Sequence, residues 1–137
     1  MHRRIIPILV AVAITISMAM PTFAVSSGSG PQKYLIKYVS SVSTKLDIKK
    51  GTAYISVKVR DVGKKSTKIV STAYLQRKSG SSWKNIDSWT GSTTSGSLSI
   101  TKSKKISKGT YRVKSVTKAY KGKTLETITD YSGTKSY

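Results

Sequence analysis

Along residues 51–60 the chain alternates, with Ala53, Ile55, Val57 and Val59 apolar and Tyr54, Ser56, Lys58 and Arg60 between them. A period of two belongs to a strand with one buried and one exposed face. The same reading places a strand over 68–77, where Ile69, Ser71, Ala73 and Leu75 alternate against Val70, Thr72, Tyr74 and Gln76. Gly80 breaks it, and further strands are predicted over 83–90, over 97–102 on Leu98 and Ile100, over 111–117 on Tyr111, Val113, Ser115 and Thr117, and over 125–131. Residues 61–66, 90–96, 107–109 and 121–123 carry the Gly, Ser, Asp and Lys of turns and loops. The segment from Tyr34 to Ile48 has helix-like spacing in its first half, but its β-branched and Ser content and the alternation of Leu46 and Ile48 favour an extended approach.

About seven short strands at near-regular spacing, with no long amphipathic helix, predict one all-β domain over 34–137. The expected architecture is a single antiparallel β-sandwich of immunoglobulin/fibronectin-like kind. A small barrel is the alternative. Gly109-x-Tyr111 at the opening of a late strand fits a tyrosine corner, where the ring packs and the hydroxyl holds a neighbouring backbone group. The only Phe is Phe23, so the domain core rests on Val, Ile, Leu, Tyr and Trp.

The N-terminus reads differently. His2, Arg3 and Arg4 precede an apolar run from Ile5 to Met20, and Thr22-Phe23-Ala24 supplies small residues for cleavage after Ala24. Residues 1–24 are therefore expected to be a signal peptide, and 25–33, small and polar, a flexible linker. The run is short for a bilayer span, which needs about 20 apolar residues, so no stable membrane insertion is expected after cleavage. The expected location is secreted or extracellular, in association with the cell wall.

Charge and missing residue types narrow the chemistry. The chain of 137 residues has 25 Lys and Arg against five Asp and Glu, a net +20, and only Arg3 and Arg4 of these cations lie in the leader. Such a field favours anionic polymers: wall polymers, acidic glycans, anionic lipid or nucleic acid. There is no Cys, and the single His is His2, so thiol catalysis, disulfides and the commonest metal ligand are excluded. Ser-x-x-Lys pairs at Ser81/Lys84, Ser99/Lys102, Ser115/Lys118 and Ser132/Lys135 are as many as chance placement of so many serines and lysines gives. Asp47, Asp61, Asp87, Glu126 and Asp130 include no D-x-D calcium loop. No catalytic residue, metal ligand or cofactor is assigned.

Trp83 and Trp89 are six apart, which on an uninterrupted strand puts both on one face, either as a sugar-binding platform or as core. The core reading is preferred, with Trp83 the more buried and Trp89, beside the 90–96 loop, the more exposed. Outward pairs Lys58/Arg60, Lys102/Lys104 and Arg112/Lys114 form expected ridges of positive charge. The candidate ligand contacts are Trp89, Lys102, Lys104, Lys105 and Lys108.

Several stretches together carry a resemblance: Tyr38 to Leu46, Tyr74 to Lys84, Ser88-Trp89, Gly109 to Lys114, and Glu126-Thr127 before Tyr131-Ser132. In order and spacing the chain resembles a family of short exported basic β-domain proteins of uncharacterised function from Gram-positive, clostridia-like bacteria. That resemblance implies export and the fold, and it transfers no catalytic or binding residue. The expected function is thus a non-enzymatic basic domain that associates electrostatically with anionic cell-envelope or extracellular polymers. A membrane-active antimicrobial protein is one alternative. An extracellular nucleic-acid-binding module is the other, and it requires Tyr54, Tyr74 and Tyr120 on one exposed face.

Overall fold

A computed structural model describes residues 37–137, so the expected signal peptide and linker lie outside the described residues. The strands are β1 (Ser41–Lys49), β2 (Thr52–Arg60), β3 (Lys68–Ser79), β4 (Ser82–Thr93), β5 (Ser97–Lys105), β6 (Thr110–Lys121), β7 (Thr124–Tyr131) and the short β8 (Lys135–Ser136). They form two antiparallel sheets, β1-β2-β5 and β4-β3-β6-β7, with β8 added to the start of β6. The chain changes sheet after β2, after β4 and after β5, so the two layers interleave in sequence. This is the expected antiparallel β-sandwich.

The alternation predicted for β2 holds in full: Ala53, Ile55, Val57 and Val59 are buried, and Tyr54, Lys58 and Arg60 are exposed. They meet Ile69, Ala73, Leu75, Val113 and Tyr111 from the other sheet in one core. The β1–β2 hairpin closes on Lys50 and Gly51, both at positive φ, the geometry of the tight turn whose twist suits two antiparallel strands. Tyr111 completes the expected corner: its ring is buried and its hydroxyl donates to the Ser107 carbonyl at 2.7 Å.

With no Phe available, part of the inner face is polar. Ser71, Ser115 and Thr117 are fully buried, Ser71 bonds Thr117 at 2.9 Å, and Ser115 reaches across the sandwich to Thr44 at 2.6 Å. The hydroxyls pair with each other, so burial leaves none without a partner. Thr44→Val keeps the volume of residue 44 and leaves Ser115 alone. It is expected to cost about 1–2 kcal/mol in urea unfolding, while the further change Ser115→Ala recovers part of that loss. A double variant no better than the single one would contradict the pairing.

Two features go beyond the sequence reading. Strand β4 runs on to Thr93, into the expected loop, because its residues pair with 69–72 and the Thr72 and Thr90 hydroxyls bond at 2.9 Å. After β7, the Ser132 hydroxyl accepts from the Val113 amide at 2.8 Å, and the tail then continues along β6 to Tyr137, whose backbone exchanges two hydrogen bonds with Gly109. Among the described residues no helix is long and apolar enough to cross a membrane.

Candidate anion-binding surface

The tryptophans decide which face bears the chemistry. The β3–β4 register shifts between Leu75 and Gln76, with Leu75 opposite Asp87 and Gln76 opposite Asn85, so Ile86 is the extra residue of a bulge. One added residue reverses the side on which every following side chain points. Trp89, opposite Ala73, faces inward and packs against the core, and Ile86 packs there too. Trp83, opposite the exposed Lys78, lies on the outer face. The expectation of a shared face with Trp83 inside is therefore corrected: the two rings are on opposite faces, and Trp83 is the outward one.

The outer face of the larger sheet holds Trp83 and Asn85 on β4, Tyr74, Gln76 and Lys78 on β3, Arg112, Lys114, Lys118 and Tyr120 on β6, and Leu125 and Tyr131 on β7. Arg112 sits near one end of this face, two residues into β6. Its guanidinium carbon lies 4.3 Å from the Trp83 ring centroid and 4.5 Å from that of Tyr131. Its Nε donates to Gln76 Oε1 at 2.8 Å, and Gln76 Nε2 donates to Asn85 Oδ1 at 2.8 Å. Partial burial draws the Arg112 pKa below its usual value, opposed by Tyr131, but a guanidinium stays charged at any physiological pH. No carboxylate shares this face, because Glu126 and Asp130 alternate to the inner side of β7.

The candidate contacts chosen from sequence divide into two groups. On β4, Gly91 lies beside Leu98 and Ile100 of β5, and Asp87 bonds Lys104 at 2.8 Å, so Trp89, Lys102 and Lys104 border the same gap between the two sheet edges. Lys102 and Lys104 pair with Ile55 and Ala53, which makes their row an inward one and not the outward ridge expected. The Lys104 ammonium, together with the Ser88 amide, holds the Asp87 carboxyl below the usual carboxylate range. Lys105 faces outward from the smaller sheet, and Lys108 lies in the β5–β6 connection, where its carbonyl accepts from Arg77. The ridges at Lys58/Arg60 and Arg112/Lys114 do point outward, from opposite sheets.

Acids compensate little of this charge. Asp61 is buried in the β2–β3 loop, Glu126 accepts from the Lys37 and Tyr38 amides, and Asp47 is the one acid on an outer sheet face. Among the described residues, Lys49–Asp47 and Lys104–Asp87 are the salt bridges. Tyr54 stands on the outer face of the smaller sheet, away from Tyr74 and Tyr120, so the three tyrosines do not form the common face that the nucleic-acid alternative requires. A shallow hollow of about 420 Å³ is lined by Lys58, Val59, Arg60, Ser97, Leu98 and Ser99, on the sheet opposite Arg112. Among the described residues no cluster of three or more acids could hold a metal ion. Comparison with family models, curated proteins and solved structures finds no match.

Proposed function

We propose that the protein is an exported, non-enzymatic β-sandwich of immunoglobulin/fibronectin-like type that binds anionic polymers of the cell envelope or its surroundings. The uncompensated charge on both outer faces carries this reading: cations point outward from each sheet, and the acids are mostly turned inward, paired or buried in a loop. Solubility alone needs far less net charge than this chain has. The interleaved strand order and the Tyr111 corner support the sandwich type. The apolar leader supports export.

The test is co-sedimentation of the purified protein with cell walls, before and after their anionic polymers are stripped, at low and physiological salt, with duplex DNA in parallel. Binding is expected to require the polymers, to fall steeply as salt screens charges beyond about 10 Å at 0.1 M, and to exceed binding to DNA. Retention on stripped walls, or equal uptake by DNA, would overturn an envelope-directed role.

A further inference from the structure

Most lysines on the surface are long, mobile and individually weak as recognition elements, because holding one in place costs side-chain entropy. Arg112 differs. It is stacked between Trp83 and Tyr131 and tied through Nε to Gln76, which is itself tied to Asn85. Its two Nη groups make no hydrogen bond to another described residue. The stack and the amide relay have already fixed the plane of the guanidinium, so the open edge of its fork is preorganised for two parallel bonds to an oxyanion.

The surroundings specify the ligand further. Lys114 follows Arg112 outward on β6 and stands opposite both Tyr74 and Tyr131, and Lys78 stands opposite Trp83. Half-buried Tyr74 thus lies between Lys114 on β6 and Ser88 on β4, with no acid on that face to compete. A flexible, ring-free polyanion would use the charges and leave the aromatic surface unused. A chain of sugar rings bearing carboxylates uses both.

We infer that the outer face of the β4-β3-β6-β7 sheet is a subsite for an acidic polysaccharide, with the carboxylate held bidentate by Arg112 and supported by Lys114, and the sugar ring lying against Tyr74. This rests on the anionic-polymer reading and names its ligand class and its site.

Titration of the protein with polygalacturonate, ring-free polyphosphate and neutral dextran at one ionic strength tests it. Polygalacturonate is expected to bind more tightly than polyphosphate at matched charge, and dextran not to bind. Arg112→Lys keeps the charge but loses the fork and the stack, and it should weaken polygalacturonate binding about tenfold. Lys58→Gln, which removes a charge from the opposite sheet, should weaken it by no more than about twofold. Tyr74→Leu should erase the preference over polyphosphate without altering polyphosphate binding, and Lys114→Gln supplies the same comparison should Arg112→Lys unfold. Native-like affinity in Arg112→Lys and Lys114→Gln, or a preference for polyphosphate, overturns the subsite and leaves general polymer attraction standing. Failure of both polyanions to bind at low salt overturns both readings.

Discussion

Tyr111→Ala is expected to cost about 3–5 kcal/mol, a large share of the roughly 5–15 kcal/mol that holds an ordinary domain together. Among the described residues Tyr111 is the largest fully buried side chain, it sits where β6 begins, and its hydroxyl donates to the Ser107 carbonyl in the crossing from β5. Removal leaves a cavity next to Val113 and Leu75 in a core already diluted by Ser71, Ser115 and Thr117. Tyr111→Phe keeps the volume and isolates the hydroxyl, for an expected loss of about 1–2 kcal/mol. Urea denaturation of the two variants checks both values. A loss below about 1 kcal/mol for Tyr111→Ala, no more than a single hydrogen bond contributes, would mean that the corner does not anchor the fold.

Asp61→Ala is expected to be the next most damaging change, at about 2–3 kcal/mol. Asp61 is 5% exposed, its Oδ1 accepts from the Lys65 amide at 2.9 Å, and its Oδ2 accepts from the Ser66 amide at 2.7 Å and the Ser66 hydroxyl at 2.5 Å. Its own amide donates to the Gly96 carbonyl at 2.7 Å, which joins the β2–β3 and β4–β5 loops at one end of the sandwich. Burial raises the Asp61 pKa, but the Ser66 hydroxyl, the Ser66 and Lys65 amides and the Lys65 charge outweigh it, and the net displacement is downward. A carboxylate whose folded pKa is depressed contributes stability that is present above its ordinary value, near 4, and is lost as pH falls through the folded value. The native protein should therefore lose stability on acidification from about pH 5 downward, and Asp61→Asn should lose less over the same range. Parallel acid profiles for the two would contradict the role given to Asp61.

The strands were legible because each needs one apolar face, and residues such as Ala53, Ile55, Val57 and Val59 state that period without ambiguity. The Tyr111 corner was legible for a similar reason, since Gly109 and the strand that follows mark its place. Face assignment on β4 was not. The spacing of Trp83 and Trp89 is even, but Ile86 adds one residue against β3, and no Gly or Pro marks the bulge. The hydrogen-bonding polarity of Gln76 and Asn85, two amides that meet across the strands on the outer side of that bulge, was the available signal. The same cause hid the Arg112 stack, which depends on Trp83 facing outward. Lys102 and Lys104 share a row with Leu98 and Ile100, and because β5 is an edge strand that inner row opens toward Asp87, where an ammonium is tolerated. The continuation of β8 along β6 depends on one side chain, Ser132, replacing a ladder bond, which no periodicity records.

Amide chemical-shift mapping during titration with polygalacturonate measures directly where an acidic polymer touches the domain. The largest changes are expected at 74–78, 83–85, 112–114 and 129–131, converging on Arg112, with the smaller sheet little affected at physiological salt. Changes centred on Lys58, Arg60 and Lys105, or spread evenly over both sheets, would contradict the subsite at Arg112.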